Sequence, residues 1–209
     1  GLAFGRLGAQ AWLTHRWGSA DEDEIRAKFD KAGAPAPRIE EADASKGKET
    51  LALLEKIKAE HPEGLEVLIN NVAMVVKGDG VMNHSARALH KSLEYSAWPF
   101  VDYIQACKKV FDAYPRYCVA TSSDGASVTY PHYDYVGVSK AVLETFARYM
   151  ATHLQDEGTR VNVLRTRQVA TDSYEEIFGE KNVELAKRFA EWEVTPEECA
   201  HTIVMMCSG

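Results

Sequence analysis

Tyr133 and Lys140 stand seven residues apart in the run Tyr133-Asp134-Tyr135-Val136-Gly137-Val138-Ser139-Lys140. At about 100° per residue, a helix returns to nearly the same face after seven residues, two turns along. A phenol and an ammonium on one face can share a site. A phenol alone is a poor acid, with a pKa of about 10. A nearby ammonium favours the phenolate and lowers that value, so the pair can give or hold a proton near neutral pH. Tyr135 lies five residues before Lys140, well round the helix from it, and Val136 holds the place where a one-turn tyrosine–lysine pair would need its tyrosine. Lys140 sits amid Val138, Ala141 and Val142, so its charge needs a buried partner. Ser123 lies ten residues before Tyr133 and seventeen before Lys140. Its hydroxyl can cap a loop or donate a hydrogen bond to a substrate oxygen.

The elements that must position these groups alternate between strand and helix. Strands are expected at residues 10–14, 38–42, 65–70, 117–121 and 160–164, each short. Helices are expected at residues 21–32, 46–60, 87–114, 136–157 and 173–191, the third adjusted near Pro99. Residues 21–32 begin with carboxylates and end before Gly33, as the helix dipole prefers. Thr195-Pro196-Glu197-Glu198 reads as a helix start, with a threonine cap, proline at the first helical position and early carboxylates. Such alternation argues for a parallel sheet with helices on both faces. In open sheets of this kind ligands bind beyond the carboxyl ends of the strands.

Residues 119–171 resemble the short-chain dehydrogenase/reductases. Most members of that family use Tyr-x-x-x-Lys. The Tyr-x6-Lys spacing here resembles the divergent branch that contains the enoyl-acyl-carrier-protein reductases. Ala141-Val142-Leu143-Glu144, Arg148-Tyr149-Met150-Ala151 and Arg160-Val161-Asn162-Val163 fit it as well. The resemblance implies one α/β domain over residues 1–209, a Rossmann-type doubly wound parallel sheet in three α/β/α layers. It implies Tyr133, Lys140 and Ser123 as catalytic residues, with Lys140 on the nicotinamide ribose. Arg16, after the strand at 10–14, would accommodate a 2′-phosphate, with no carboxylate before Asp21; NADP(H) is therefore preferred, with NAD(H) as the alternative. Asp43 and Ala44 would meet the adenine, although Asp43 also reads as a turn aspartate capping Ser45. Asn71, Val72 and Ala73 would shape the floor under the adenosine ribose. Gly1 would belong to the cofactor loop. Val169 and Thr171 would contact the nicotinamide amide and the pyrophosphate. Arg167 and Gln168 replace the family's glycine and proline there, so Arg165 and Arg167 become candidate anion ligands. Ser96 stands where the common branch carries a relay asparagine. Tyr174 and Phe178 would line an acyl chain.

The function implied is NADPH-dependent reduction of the C2–C3 double bond of a trans-2-enoyl thioester, on an acyl carrier protein or on coenzyme A. Two alternatives stay open: carbonyl reduction, as in a ketoreductase or alcohol dehydrogenase, with Tyr133 or Tyr135 as the acid, and a degenerate member that binds a nucleotide without turnover. Family members are dimers or tetramers, so a homodimer or homotetramer is expected.

The bulk properties bound the rest. At 209 residues the chain has the length of one domain, and its net charge of −7 argues against a nucleic-acid partner. No apolar run approaches the roughly 20 residues of a membrane span. Cys107, Cys118, Cys199 and Cys207 are isolated, which implies reduced thiols, no metal site and a cytoplasmic location. No strand precedes Gly1-Leu2-Ala3-Phe4-Gly5 and none follows the helix before Gly209, so the first and last strands are expected to lie outside this sequence. The short link at Gly5-Arg6 suggests a further omission there.

Overall fold

The computed structural model describes residues 1–18, 20–76, 78–169 and 193–208. Every strand pair in it is parallel. β1 (Trp12–His15) pairs with β2 (Arg38–Glu41), and β3 (Val67–Asn70) pairs with β4 (Tyr117–Ser123), which pairs with β5 (Arg160–Thr166). A short ladder joins β6 (Gln168–Val169) to β7 (Glu193–Val194). Among the described residues no ladder joins β1 to β3.

Local signals set most helix limits. α1 (Leu2–Gly5) is a single turn, and the chain runs unbroken through Gly5 and Arg6, whose N–H groups donate to Gly1 and Leu2 carbonyls. α2 (Glu22–Lys31) starts where the Asp21 side chain accepts from Glu24 N–H at 3.0 Å, and Gly33 turns out of it at φ 64°. α3 (Gly47–Glu60) buries Leu53, Leu54 and Ile57 on one face. The single helix expected over 87–114 is two: α4 (Ala86–Ser96) and α5 (Trp98–Phe111). Pro99 has no N–H to continue the ladder and its ring would strike the Tyr95 carbonyl, so the chain breaks at Ala97, φ −124° and ψ −50°. α6 (Asp134–His153) begins two residues earlier than its apolar pattern suggests. α7 (Pro196–Met206) carries a complete capping box between Thr195 and Glu198.

The crossovers explain the layers. α3 packs on α5, and α4 and α5 pack on α6, whereas α2 meets α1, α1 meets α7 and α7 meets β5. The main core joins Phe100 and Ile104 of α5 to Cys118 and Ala120 of β4, Leu143 and Ala147 of α6 and Val161 of β5. A second cluster carries Ala42 onto Leu53, Leu54 and Ile57 of α3 and Ala106, Cys107 and Val110 of α5, with Trp12 against it. It ties β1 and β2 to the rest. α4 approaches α6 closely because Ser92 and Ser139 are small, fully buried and hydrogen bonded at 2.7 Å.

No helix among the described residues is long and apolar enough to cross a membrane. The four cysteines are unpaired, and burial pushes the Cys107 thiol up to about 12. Among the described residues no group of three or more histidine, cysteine and acidic side chains could hold a metal ion.

Candidate active site

The carboxyl ends of β1, β3 and β4, and the segment after β2, carry Arg16, Asn71, Val72, Ala73, Ser123, Asp43 and Ala44. Ser123 ends β4, and its hydroxyl accepts from Gly125 N–H at 3.1 Å, capping the turn Asp124–Ala126. It also hydrogen bonds with Tyr133. The loop-cap reading of Ser123 is met, and the same hydroxyl lies beside Tyr133. Tyr133 is the N-cap of α6, just outside the helix, at φ −98° and ψ 5°. Its ring lies on Gly125: a Cβ there would be 2.4 Å from Tyr133 Cε1. A Cβ on Gly137 would be 2.7 Å from the Gly125 carbonyl oxygen. Two glycines thus let the 124–126 turn and the first turn of α6 close on the phenol. Gly137→Ala should lower stability by about 1–3 kcal/mol through overpacking, outweighing the roughly 1 kcal/mol gain in helix propensity. Urea unfolding of the variant measures the balance.

The Tyr133 phenol is shifted upward, opposite to the effect expected of a neighbouring ammonium. Burial is the largest cause; the hydrogen bond with Ser123 opposes it and the Asp124 charge adds to it. Tyr133 therefore keeps its proton through neutral pH. Tyr130, edge-on to Tyr133 at 6.1 Å, donates to Asp124 at 2.7 Å.

Lys140 is buried, at 6% exposure. Its ammonium donates to the Thr121 carbonyl at 2.8 Å, so the buried partner is main chain. Burial pulls its pKa down to about 8 against the opposing charge of Glu144. Thr121 also donates through Oγ1 to Asn71 Oδ1 at 3.0 Å. It joins Lys140 to Asn71, a link that no sequence spacing announced. Val72 and Ala73 follow in a segment fixed by Ser96, whose hydroxyl accepts from Met74 N–H at 3.0 Å. Asn70 is buried, and its Nδ2 donor meets no acceptor among the described residues.

At the end of β1, Arg16 Nη1 lies 3.4 Å from Asp43 Oδ2. The guanidinium sits over the Trp17 ring at 3.5 Å and the Tyr95 ring at 4.5 Å. Asp43 also accepts from Ser45 N–H at 2.9 Å and from Tyr95 O–H at 3.2 Å. Burial raises the Asp43 carboxyl, but these bonds and Arg16 hold it below the usual range. The turn-capping reading of Asp43 is met, with Ala44 beside it half-buried. Gly1 packs against Leu13, where a Cβ would come within 2.5 Å. Its lack of a side chain serves that contact.

Tyr135, Arg165 and Arg167 have partners within the chain. Tyr135 does not join Tyr133: its hydroxyl accepts from Ser85 N–H at 2.8 Å and its ring stacks on His84 at 3.8 Å, so it anchors the start of α4. Arg165 is committed to the buried Glu144 carboxylate, with Nε at 2.9 Å and a second bond through Nη2, and to Ser127 at 3.0 Å. Arg167 lies 3.5 Å from Asp124. Both arginines thus have carboxylate partners within the chain. Val169 pairs with Val194 in the β6–β7 ladder. Thr171, Tyr174 and Phe178 lie outside the described residues.

A parallel sheet between helical layers, with its polar groups gathered at strand ends, defines a Rossmann-type α/β domain. The family described as Enoyl-(Acyl carrier protein) reductase matches residues 2–209, and the chain belongs to it, within the short-chain dehydrogenase/reductases. No curated protein sequence matches. The fold is similar to the enoyl-[acyl-carrier-protein] reductase (NADH) of Aquifex aeolicus VF5, with TM-score 0.80 and 22% identity over 99% of this chain and 81% of that one. It is also similar to the Bacillus cereus enoyl-acyl carrier protein reductase with NADP+ and indole naphthyridinone, with TM-score 0.76 and 22% identity over 88% and 72%. The Anaplasma phagocytophilum enzyme in complex with NAD gives TM-score 0.69 and 22% identity over 82% of this chain and 65% of that one.

Proposed function

We propose that the protein is an NADPH-dependent enoyl-thioester reductase, acting on the C2–C3 double bond of a trans-2-enoyl chain carried on an acyl carrier protein or coenzyme A. The observation that carries this reading is the placement of the Tyr133 phenol, packed on Gly125 and hydrogen bonded with Ser123 at the carboxyl end of β4.

The residues fit a nicotinamide dinucleotide. Asn70 Nδ2 is a buried donor that a ribose or phosphate oxygen would satisfy. Lys140 and Asn71 are gathered by Thr121. Arg16 supplies the cation at the end of β1, where a 2′-phosphate is read in this fold. When bound, the reduced nicotinamide supplies the hydride that goes to C3. Negative charge then develops on the thioester oxygen. Tyr133 would donate a hydrogen bond to that oxygen, with Ser123 assisting. Lys140 would hold the cofactor ribose. The enolate then takes a proton at C2, which completes the saturated thioester.

The related structures carry NADH, NAD and NADP+ in their descriptions, so preference turns on this chain's own cation. Arg16→Ala should weaken NADPH by roughly 10–100-fold, the usual worth of a charged hydrogen bond, and leave NADH within a few-fold. Calorimetric titration of both dinucleotides checks this. The overall reading is tested by NADPH oxidation with crotonyl and acetoacetyl thioesters in parallel. Turnover of the crotonyl thioester supports it. Turnover of the acetoacetyl thioester alone would move the protein to carbonyl reduction.

A further inference from the structure

We propose that the outer face of Trp17 is the platform on which the adenine of the dinucleotide stacks; this rests on the cofactor site proposed above. Trp17 is 74% exposed, a large apolar surface left open to water. Its backbone is left-handed, at φ 56°, a conformation that bulky residues rarely adopt. Two contacts hold it there: its N–H donates to Glu41 Oε1 at 3.0 Å, and its ring lies under the Arg16 guanidinium at 3.5 Å. A strained, exposed aromatic residue that is nevertheless pinned in place points to a surface kept for a ligand.

Its position names the ligand. Trp17 directly follows Arg16 beyond the carboxyl end of β1, where the adenosine half of a dinucleotide lies in a doubly wound sheet. Arg16 is already engaged through its plane by Trp17 and, at 4.5 Å, by Tyr95. Nη1 faces Asp43 Oδ2 at 3.4 Å, and the other edge donors remain suited to a phosphate. The stacking of the base then falls to Trp17, since any purine offers a π-face to an indole.

The test is the affinity of wild type, Trp17→Ala and Trp17→Phe for NADPH and NADH, measured by calorimetry. Both dinucleotides carry adenine. Trp17→Ala should therefore weaken both by the same factor, about tenfold, with Trp17→Phe within about threefold of wild type. Unchanged affinities in Trp17→Ala would overturn the platform. A loss confined to NADPH would overturn it too, because Trp17 would then act through Arg16 and the 2′-phosphate. Failure of wild type to bind either dinucleotide would remove the cofactor reading itself, an outcome distinct from the other two.

Discussion

Tyr133→Phe should reduce kcat for enoyl thioester reduction by about 10²–10³, with NADPH affinity unchanged. The phenol sits at the entrance of α6 against Gly125, hydrogen bonded with Ser123, and its raised pKa keeps the proton in place. A preorganised donor of this kind acts where charge develops, and losing one typically costs about 3 kcal/mol. Phenylalanine keeps the ring that packs on Gly125 and removes the hydroxyl alone, so stability should hold. Since the loss falls on the chemical step, single-turnover rates should drop by the same factor as kcat. Equal turnover in the variant would remove Tyr133 from the mechanism.

Lys140→Met should have the second large effect, and it divides into binding and stability. The ammonium is charged below about pH 8 and faces the strand ends through Thr121. NADPH affinity of the wild type should therefore weaken as pH rises through about 8, and that dependence should vanish in Lys140→Met. The stability effect has the opposite sense. The folded pKa of Lys140 lies below its ordinary value of 10.5. Below about pH 8 the lysine is charged in both states and the full penalty of burial is present. Between about 8 and 10.5 the unfolded chain binds more protons than the folded one, so wild-type stability rises by roughly 3 kcal/mol from this group. Burial of Cys107 and Cys118 raises their thiols, which works against stability at high pH. Because both proteins share those cysteines, the difference between wild type and Lys140→Met isolates the lysine. That difference should shift in favour of wild type by roughly 3 kcal/mol across this window in urea unfolding of the cofactor-free proteins.

What the sequence discloses here is mainly local. Asp21, Gly33, Pro99 and the Thr195–Glu198 box act within a turn or two of themselves, so helix limits near them can be read directly. The Tyr133–Lys140 spacing likewise places both residues at the start of one helix. The partners of these residues lie much further along the chain. Lys140 meets a carbonyl 19 residues earlier, on a parallel strand. Arg165 reaches back 21 residues to Glu144, a pairing that depends on how α6 lies on β5. Tyr95 reaches Asp43 across 52 residues and meets Arg16 as well. Trp17 carries no periodic signal, since its importance lies in its backbone conformation and exposure. The upward shift of Tyr133 was hidden for the same reason: burial and Asp124 are products of the closed 124–137 segment.

The most direct test of the central claim is the fate of the transferred hydride. NADPH carrying deuterium at both C4 positions would be incubated with crotonyl thioester in ordinary water, and the product examined by mass spectrometry and NMR. The account predicts butyryl thioester with one deuterium at C3 and a solvent proton at C2, formed by wild type and severely slowed in Tyr133→Phe. Deuterium on a carbonyl carbon, or consumption of NADPH without label at C3, would contradict it.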